Sequence, residues 1–257
     1  MIAETFLPRP SRRWRTIQVG GGRLVVTGAG LRLLLAGARR ARYADAQIED
    51  YAGLRRAEFP WRPPLRMTVR ARASGPLAGT AGFGFWNNSF SPLTERPALP
   101  AAIWFFHASP PSDMPLALEA PGSGWKATCI DATRPRALAW APLAPLVVLA
   151  NQSPPLYRRI WPLVQRDLSI AEAPIAPLDP AWRSYTLEWR ADGACFAVDG
   201  ATVLETDRAP RGPLGFVAWV DNQYMIATPQ ARFGWGLLDA AAQWMDLGSL
   251  RVEPLER

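Results

Sequence analysis

One nine-residue run constrains the whole chain: in Leu65–Ala73, Leu65, Met67, Val69, Ala71 and Ala73 alternate with Arg66, Thr68, Arg70 and Arg72. A period of two places all the apolar side chains on one face of an extended strand, a pattern no helix produces. Such a strand needs a sheet around it and a second layer against its apolar face. Other segments supply both. Arg23–Thr27 and Leu31–Ala36 flank Gly28-Ala29-Gly30 as a hairpin. Tyr43–Tyr51 alternates Ala44, Ala46 and Ile48 with Tyr43, Asp45, Gln47 and Glu49, so its polar face looks out of the core. Tyr185–Arg190, Ala194–Val198 and Thr202–Thr206 are joined through Asp192-Gly193 and Asp199-Gly200, turns that suit tight hairpins. Thr80–Asn87 and Ala101–Ser109 are apolar on both faces and belong mid-sheet, covered on both sides. Leu214–Val220 and Ser249–Glu253 are the last strands, and Trp235–Leu247 reads as a short Ala-rich helix or loop.

Residues 132–180 break this rhythm with nine prolines among apolar residues, too many for a central strand. Ser153-Pro154-Pro155 suits a helix start, with Leu156, Ile160, Leu163, Val164 and Leu168 following and Pro162 inside. The segment reads as an insertion in a single domain over 1–257, either filling one end of the sandwich or covering a ligand cavity. With 257 residues, 49% hydrophobic and 20% charged, the chain can bury a large core, which excludes disordered and fibrous classes.

The net charge of +7 comes from dispersed arginines, Lys126 being the only lysine, and no dense basic stripe marks a nucleic-acid partner. No apolar stretch reaches membrane-span length. Met1–Pro10 lacks the apolar core of a secretory signal, which points to a cytoplasmic protein. Cys129 and Cys195 read as buried thiols. A single histidine rules out His/Cys metal clusters and leaves an oxygen-only Ca²⁺ site open. Gly20-Gly21-Gly22 and Gly28-Ala29-Gly30 lead into no helix, so no nucleotide cofactor is expected, and none of any other kind.

The run Trp182-Arg183-Ser184-Tyr185-Thr186-Leu187-Glu188-Trp189, followed by Asp192-Gly193 and Phe196-Ala197-Val198-Asp199-Gly200, resembles a hairpin of the concanavalin A-like lectin/glucanase sandwiches, family-16 glycoside hydrolases in particular. Leu65–Ala73, Gly82–Trp86, Gly212–Val220 and Leu250-Arg251-Val252 fit the same order, so the resemblance covers roughly 43–257. It implies an all-β, two-sheet antiparallel jelly roll with the ligand on a concave sheet. Those hydrolases place their carboxylates at alternate positions of one strand, so that they point together into the cleft. The strand in that place here, Ala102-Ile103-Trp104-Phe105-Phe106-His107, has none, and Asp45-Ala46-Gln47-Ile48-Glu49 comes too early and carries Gln at its centre. Hydrolysis of β-glucans by the family's double displacement is therefore not expected.

Candidate ligand-binding residues are the aromatic-polar strand ends: Trp86, Asn87, Trp104, Phe106, Trp219, Asn222, Gln223 and Tyr224. Alternation along Leu214–Tyr224 sets Trp219, Asp221 and Gln223 on the concave side, where a desolvated Asp221 would relay protons near neutral pH. Asp221-Asn222 equally suits a turn. His107 and Glu49 are the other acid/base candidates. Two readings remain open: a glycan-binding or atypical glycosidase-like protein, and an intracellular enzyme or carrier whose 132–180 insertion closes a Trp/Phe-lined cavity over an apolar small molecule. A structural interaction module is a third, and the oligomeric state is not legible.

Overall fold

The computed structural model describes residues 1–89 and 97–255. In chain order the strands are β1 (Ile2–Glu4), β2 (Arg15–Val19), β3 (Gly22–Thr27), β4 (Gly30–Ala38), β5 (Asp45–Glu49), β6 (Leu65–Ala73), β7 (Thr80–Trp86), β8 (Ala101–Ala108) and β9 (Gly124–Asp131). Helices α1 (Pro135–Leu138), α2 (Ala144–Asn151) and α3 (Pro154–Asp167) follow. The chain closes with β10 (Ala171–Pro174), β11 (Arg183–Trp189), β12 (Ala194–Val198), β13 (Ala201–Thr206), β14 (Gly215–Asp221), β15 (Gln223–Ala227), β16 (Phe233–Leu237) and β17 (Ala240–Pro254).

Two antiparallel sheets form a jelly roll. An eight-stranded sheet runs β13-β12-β11-β6-β17-β4-β3, with β1 added to β17; a seven-stranded sheet runs β10-β9-β8-β7-β14-β5-β2. The aromatic-rich runs Thr80–Asn87, Ala101–Ser109 and Leu214–Val220 are neighbours in one sheet, in the order β8-β7-β14. Between the sheets, Met67, Val69 and Ala71 of β6 meet Phe83, Phe85, Phe105 and Phe216, all fully buried. Aromatic pairs cross the gap: Phe83 to Tyr185 at 5.2 Å, Phe105 to Phe196 at 5.3 Å and Phe85 to Trp189 at 5.6 Å between ring centroids.

The Ala-rich helix or loop expected at Trp235–Leu247 is instead strand: Trp235 lies in β16, and Ala240–Leu247 opens β17, bonded to β4 along most of its length. Alanine's helix preference is worth only tenths of a kcal/mol per residue, and it yields to a slot between two paired strands. The strand read as continuous through Tyr224 breaks at Asn222, after which β15 pairs with β16 in a separate ribbon. Cys195, expected buried, is only half-buried.

α3 begins after Ser153 and runs through Pro162. Val164 is buried, but Leu156 and Leu163 face outward, 46% and 45% exposed. No helix among the described residues is long and apolar enough to cross a membrane.

Candidate functional site

The outer face of the seven-stranded sheet, opposite the core, holds the chemistry. Alternation dictates its membership: Asp45, Gln47 and Glu49 from β5; Val217, Trp219 and Asp221 from β14; Thr80 and Trp86 from β7; Trp104 and Phe106 from β8. Two glycines of β7 make room for the indoles. A Cβ on Gly82 would come within 2.8 Å of the Trp219 ring, and one on Gly84 within 2.5 Å of Trp104 Cβ. Trp104 consequently packs at 5.2 Å from Trp219 and 5.9 Å from Trp86, and stacks on Phe106 at 5.5 Å, forming one aromatic wall.

A cavity of about 340 Å³ opens on this wall. Its other lining includes Tyr43, Gln47, Thr80, Met114, Asp221, Gln223, Tyr224 and Met225. Met114 is held there by the buried Lys126, whose Nζ pairs with Glu172 at 2.7 Å and donates to the Met114 carbonyl at 3.1 Å and the Pro121 carbonyl at 2.8 Å. A second cavity of about 420 Å³ adjoins the first and is lined by Arg15, Asp45, Glu49, Tyr51 and Phe59 among others. Tyr43, Gln47 and Trp86 belong to both, so the two form one groove, aromatic at one end and acidic at the other.

Asp45 and Asp221 are buried with no ion-pair partner among the described residues. Asp45 and Asp221 face each other in the β5/β14 register, positions whose Cβ atoms stand about 4.5–5.5 Å apart. Asp221 accepts from the Thr80 hydroxyl at 2.9 Å and from the amides of Gln223 at 2.9 Å and Thr80 at 3.2 Å. Burial nonetheless pushes its pKa up to about 6. Burial and the facing Asp221 charge drive Asp45 well above the ordinary carboxylate range, against the opposing influence of the Tyr43 hydroxyl beside it. Asp45 Oδ1 has no hydrogen-bond partner among the described residues. Two carboxyls so placed titrate as a pair. Three donors stabilise charge on Asp221, whereas Asp45 Oδ1 has none among the described residues.

Glu49 lies four residues along β5, buried, accepting from Gln47 Nε2 at 2.7 Å and from the Tyr51 hydroxyl. Tyr51 in turn accepts from Trp86 Nε1 at 2.7 Å. Burial raises the Glu49 pKa, with Tyr51, Gln47 and Arg15 acting against it. The face thus presents an acid and amide comb beside a fixed aromatic wall. Among the described residues no three His, Cys, Asp or Glu side chains converge as a metal would require.

Of the residues singled out from sequence, the structure brings Trp86, Trp104, Phe106, Trp219, Asp221, Gln223 and Tyr224 together in the first cavity, and Glu49 in the second. Three lie elsewhere. His107 points to the core side of β8, its Nε2 2.9 Å from the Leu77 carbonyl and its ring stacked on Trp125 at 5.0 Å; burial depresses its pKa. It is one residue out of phase with Trp104 and Phe106. Asn87 is spent on backbone, donating to the Leu99 carbonyl and accepting from the Ala101 amide. Asn222 is fully buried, accepting from the Ala44 amide and donating to the carbonyls of Arg39, Arg42 and Leu238, which fixes the break between β14 and β15. Sequence reasoning missed Thr80, Met114 and Met225. Tyr43 and Gln47 were visible on the polar side of β5 but not as site residues.

No protein-family model and no curated protein matches the chain. Solved structures do. The Crh5 transglycosylase in complex with NAG aligns over 99% of this chain and 83% of its own, with a TM-score of 0.53 at 14% identity. Rv0315, an immunostimulatory antigen and pseudo beta-1,3-glucanase of Mycobacterium tuberculosis, aligns over 100% and 99%, with a TM-score of 0.53 at 10% identity. The GlcNAcα1-4Gal-releasing endo-β-galactosidase from Clostridium perfringens aligns over 98% of this chain and 62% of its own, with a TM-score of 0.54 at 12% identity. The chain therefore shares the two-sheet jelly-roll fold of these proteins, the architecture that the hairpin resemblance implied. At such identities the likeness is one of fold and transfers no residue role.

Proposed function

We propose that this chain is a glycan-binding sandwich whose ligand lies along the groove on the outer face of the seven-stranded sheet. One observation carries the reading: the two cavities join through Tyr43, Gln47 and Trp86, setting a tryptophan wall beside a row of amides and carboxyls that includes the unpartnered Asp45 Oδ1. A sugar ring has that same duality, an apolar face for stacking and hydroxyls at its edge. Trp104 and Trp219 take the ring face; Gln47, Gln223, Asp45 and Glu49 take hydroxyls. The structures of similar fold include a transglycosylase, an endo-β-galactosidase and a pseudo-glucanase, which favours the same ligand class.

Cleavage by the family-16 route is not part of the proposal. The outward positions of β8 are Ala102, Trp104, Phe106 and Ala108, so nothing there can attack or protonate a glycosidic bond. The test is calorimetric titration with gluco-, chito- and galacto-oligosaccharides, alongside an assay for new reducing ends. We expect one class to saturate the protein, Trp104→Ala to weaken it about tenfold, and no reducing ends to form. The runner-up, a carrier of an apolar small molecule, draws on the Met114, Met225 and Phe106 side of the first cavity. Filling of the groove by a fatty-acid analogue, with every oligosaccharide silent, would replace the glycan reading with that one.

A further inference from the structure

Away from the groove, one surface has its polarity reversed. In α2 the buried residue is Asn151, which donates to the Pro229 carbonyl at 2.8 Å, while Leu146 and Leu149 stand 65% and 70% exposed. A helix packed on a protein core and facing water on its other side does the opposite. The reversal continues around it. Leu138 and Leu143 precede α2 at 50% and 45% exposure, and Leu156 and Leu163 turn outward from α3. On β16, Phe233 and Trp235 are 80% and 73% exposed, two residues apart and so on one side of the ribbon.

These elements are tied to one another. Gln152 Nε2 donates to the Gln230 carbonyl at 3.0 Å. The helices and the segment leading into β16 enclose an apolar cleft of about 310 Å³ lined by Leu138, Trp140, Val148, Trp161, Val164 and Phe233 among others. The charge is mostly basic as well: Arg134 and Arg166 pair with Asp131 and Asp167, leaving Arg136, Arg158 and Arg159 as the basic excess over residues 131–167. Arg136, Arg158 and Arg159 are exposed.

We propose that this helix-and-ribbon face docks the protein in the plane of an anionic lipid bilayer. Leu143, Leu146, Leu149, Phe233 and Trp235 enter the boundary between headgroups and acyl chains, and Arg136, Arg158 and Arg159 meet lipid phosphates. Exposed leucines and aromatics interspersed with arginines are the composition of an interfacial surface, the long arginine stems lying along the apolar layer with their guanidinium groups at headgroup level. Since no helix among the described residues is long and apolar enough to span, the proposed attachment is in-plane and reversible. A second copy is the poorer occupant, because a symmetric pairing through this face sets the same arginines against each other.

The probe is flotation with phosphatidylcholine vesicles, with and without about a third phosphatidylglycerol. Flotation with the anionic vesicles, weakened in high salt and weaker by about tenfold or more in Leu146→Glu/Leu149→Glu and in Arg158→Glu/Arg159→Glu, is the expected result. All four substituted side chains are exposed, and unchanged circular dichroism confirms that the fold survives. A blue shift of tryptophan emission on vesicle addition, lost in Trp235→Phe, reports that the ribbon inserts. No flotation at low salt overturns the proposal, as does equal flotation of both double variants. A concentration-dependent dimer abolished by Leu146→Glu/Leu149→Glu, without vesicle binding, assigns the face to a second copy instead.

Discussion

The outer faces of the two sheets use the same materials to opposite ends. On the eight-stranded sheet, Asp246 of β17 is 1% exposed and pairs with Arg32 at 2.7 Å and Arg72 at 3.0 Å. Those guanidinium groups lie over Trp244 and Trp182: Arg32 is 3.9 Å from the Trp244 ring, and Arg72 is 4.5 Å from that of Trp182. The buried acid there is matched twice over. On the seven-stranded sheet, Asp45 and Asp221 are also deeply buried, beside tryptophans too, but neither has an ion-pair partner among the described residues and they face each other across β5 and β14. Burial alone therefore does not separate framework from site. Whether a buried polar group has its partner does: a paired acid holds sheets together, and an unpaired one stores a demand that a ligand or proton can meet.

The sharpest way to break this contrast is Asp246→Ala, which leaves two arginines without their shared partner. It should cost about 3 kcal/mol in chemical denaturation, in line with breaking a buried ion pair. A loss below about 1 kcal/mol would mean that the ladder of arginines and tryptophans stands without its acid.

The pH dependence comes next. Asp221 is raised from an ordinary value of 3.8 to about 6, so between those values the folded chain holds a proton that the unfolded chain has released. Stability should fall as pH rises from about 4 to about 6, by about 2–3 kcal/mol from Asp221 alone. Asp50, also pushed up to about 6 by burial, acts in the same direction. Denaturation across this range should show a shallower slope in Asp221→Asn. An equal slope would place the effect elsewhere.

Asp45→Asn should be the mirror of Asp246→Ala. Removing an unpaired, repelled carboxyl leaves stability unchanged or raises it by about 1 kcal/mol at neutral pH, with ligand affinity reduced. A loss comparable to that of Asp246→Ala would make Asp45 framework after all. The smallest expected effect is His107→Gln on ligand binding: less than about twofold by calorimetry, because the imidazole lies on the core side of β8.

Legibility followed the range of the interactions. Period-two runs such as β6 and β11, and the Asp-Gly turns, are local, and they emerged where read. β8 shows the limit: alternation would have separated His107 from Trp104 and Phe106, but a lone histidine among aromatics drew attention as a chemical type rather than by phase. Asn87 and Asn222 show another. An amide at a strand end reads alike whether it meets a ligand or the backbone of a distant loop, and the carbonyls of Arg39 and Leu238 that occupy Asn222 are far from it in sequence.

By itself, then, the order of residues determined which side chains share a face, because a strand's alternation needs nothing beyond its neighbours in the chain. It also determined the sandwich, because apolar faces on so many strands have to be buried against one another. Only the tertiary structure decided which acids would be matched. Arg32 and Arg72 reach Asp246 across strand pairings, and Asp45 meets Asp221 only because β5 and β14, separated by most of the chain, are neighbours. A carboxylate's partner is a matter of distance in space, and no spacing within this chain encodes it.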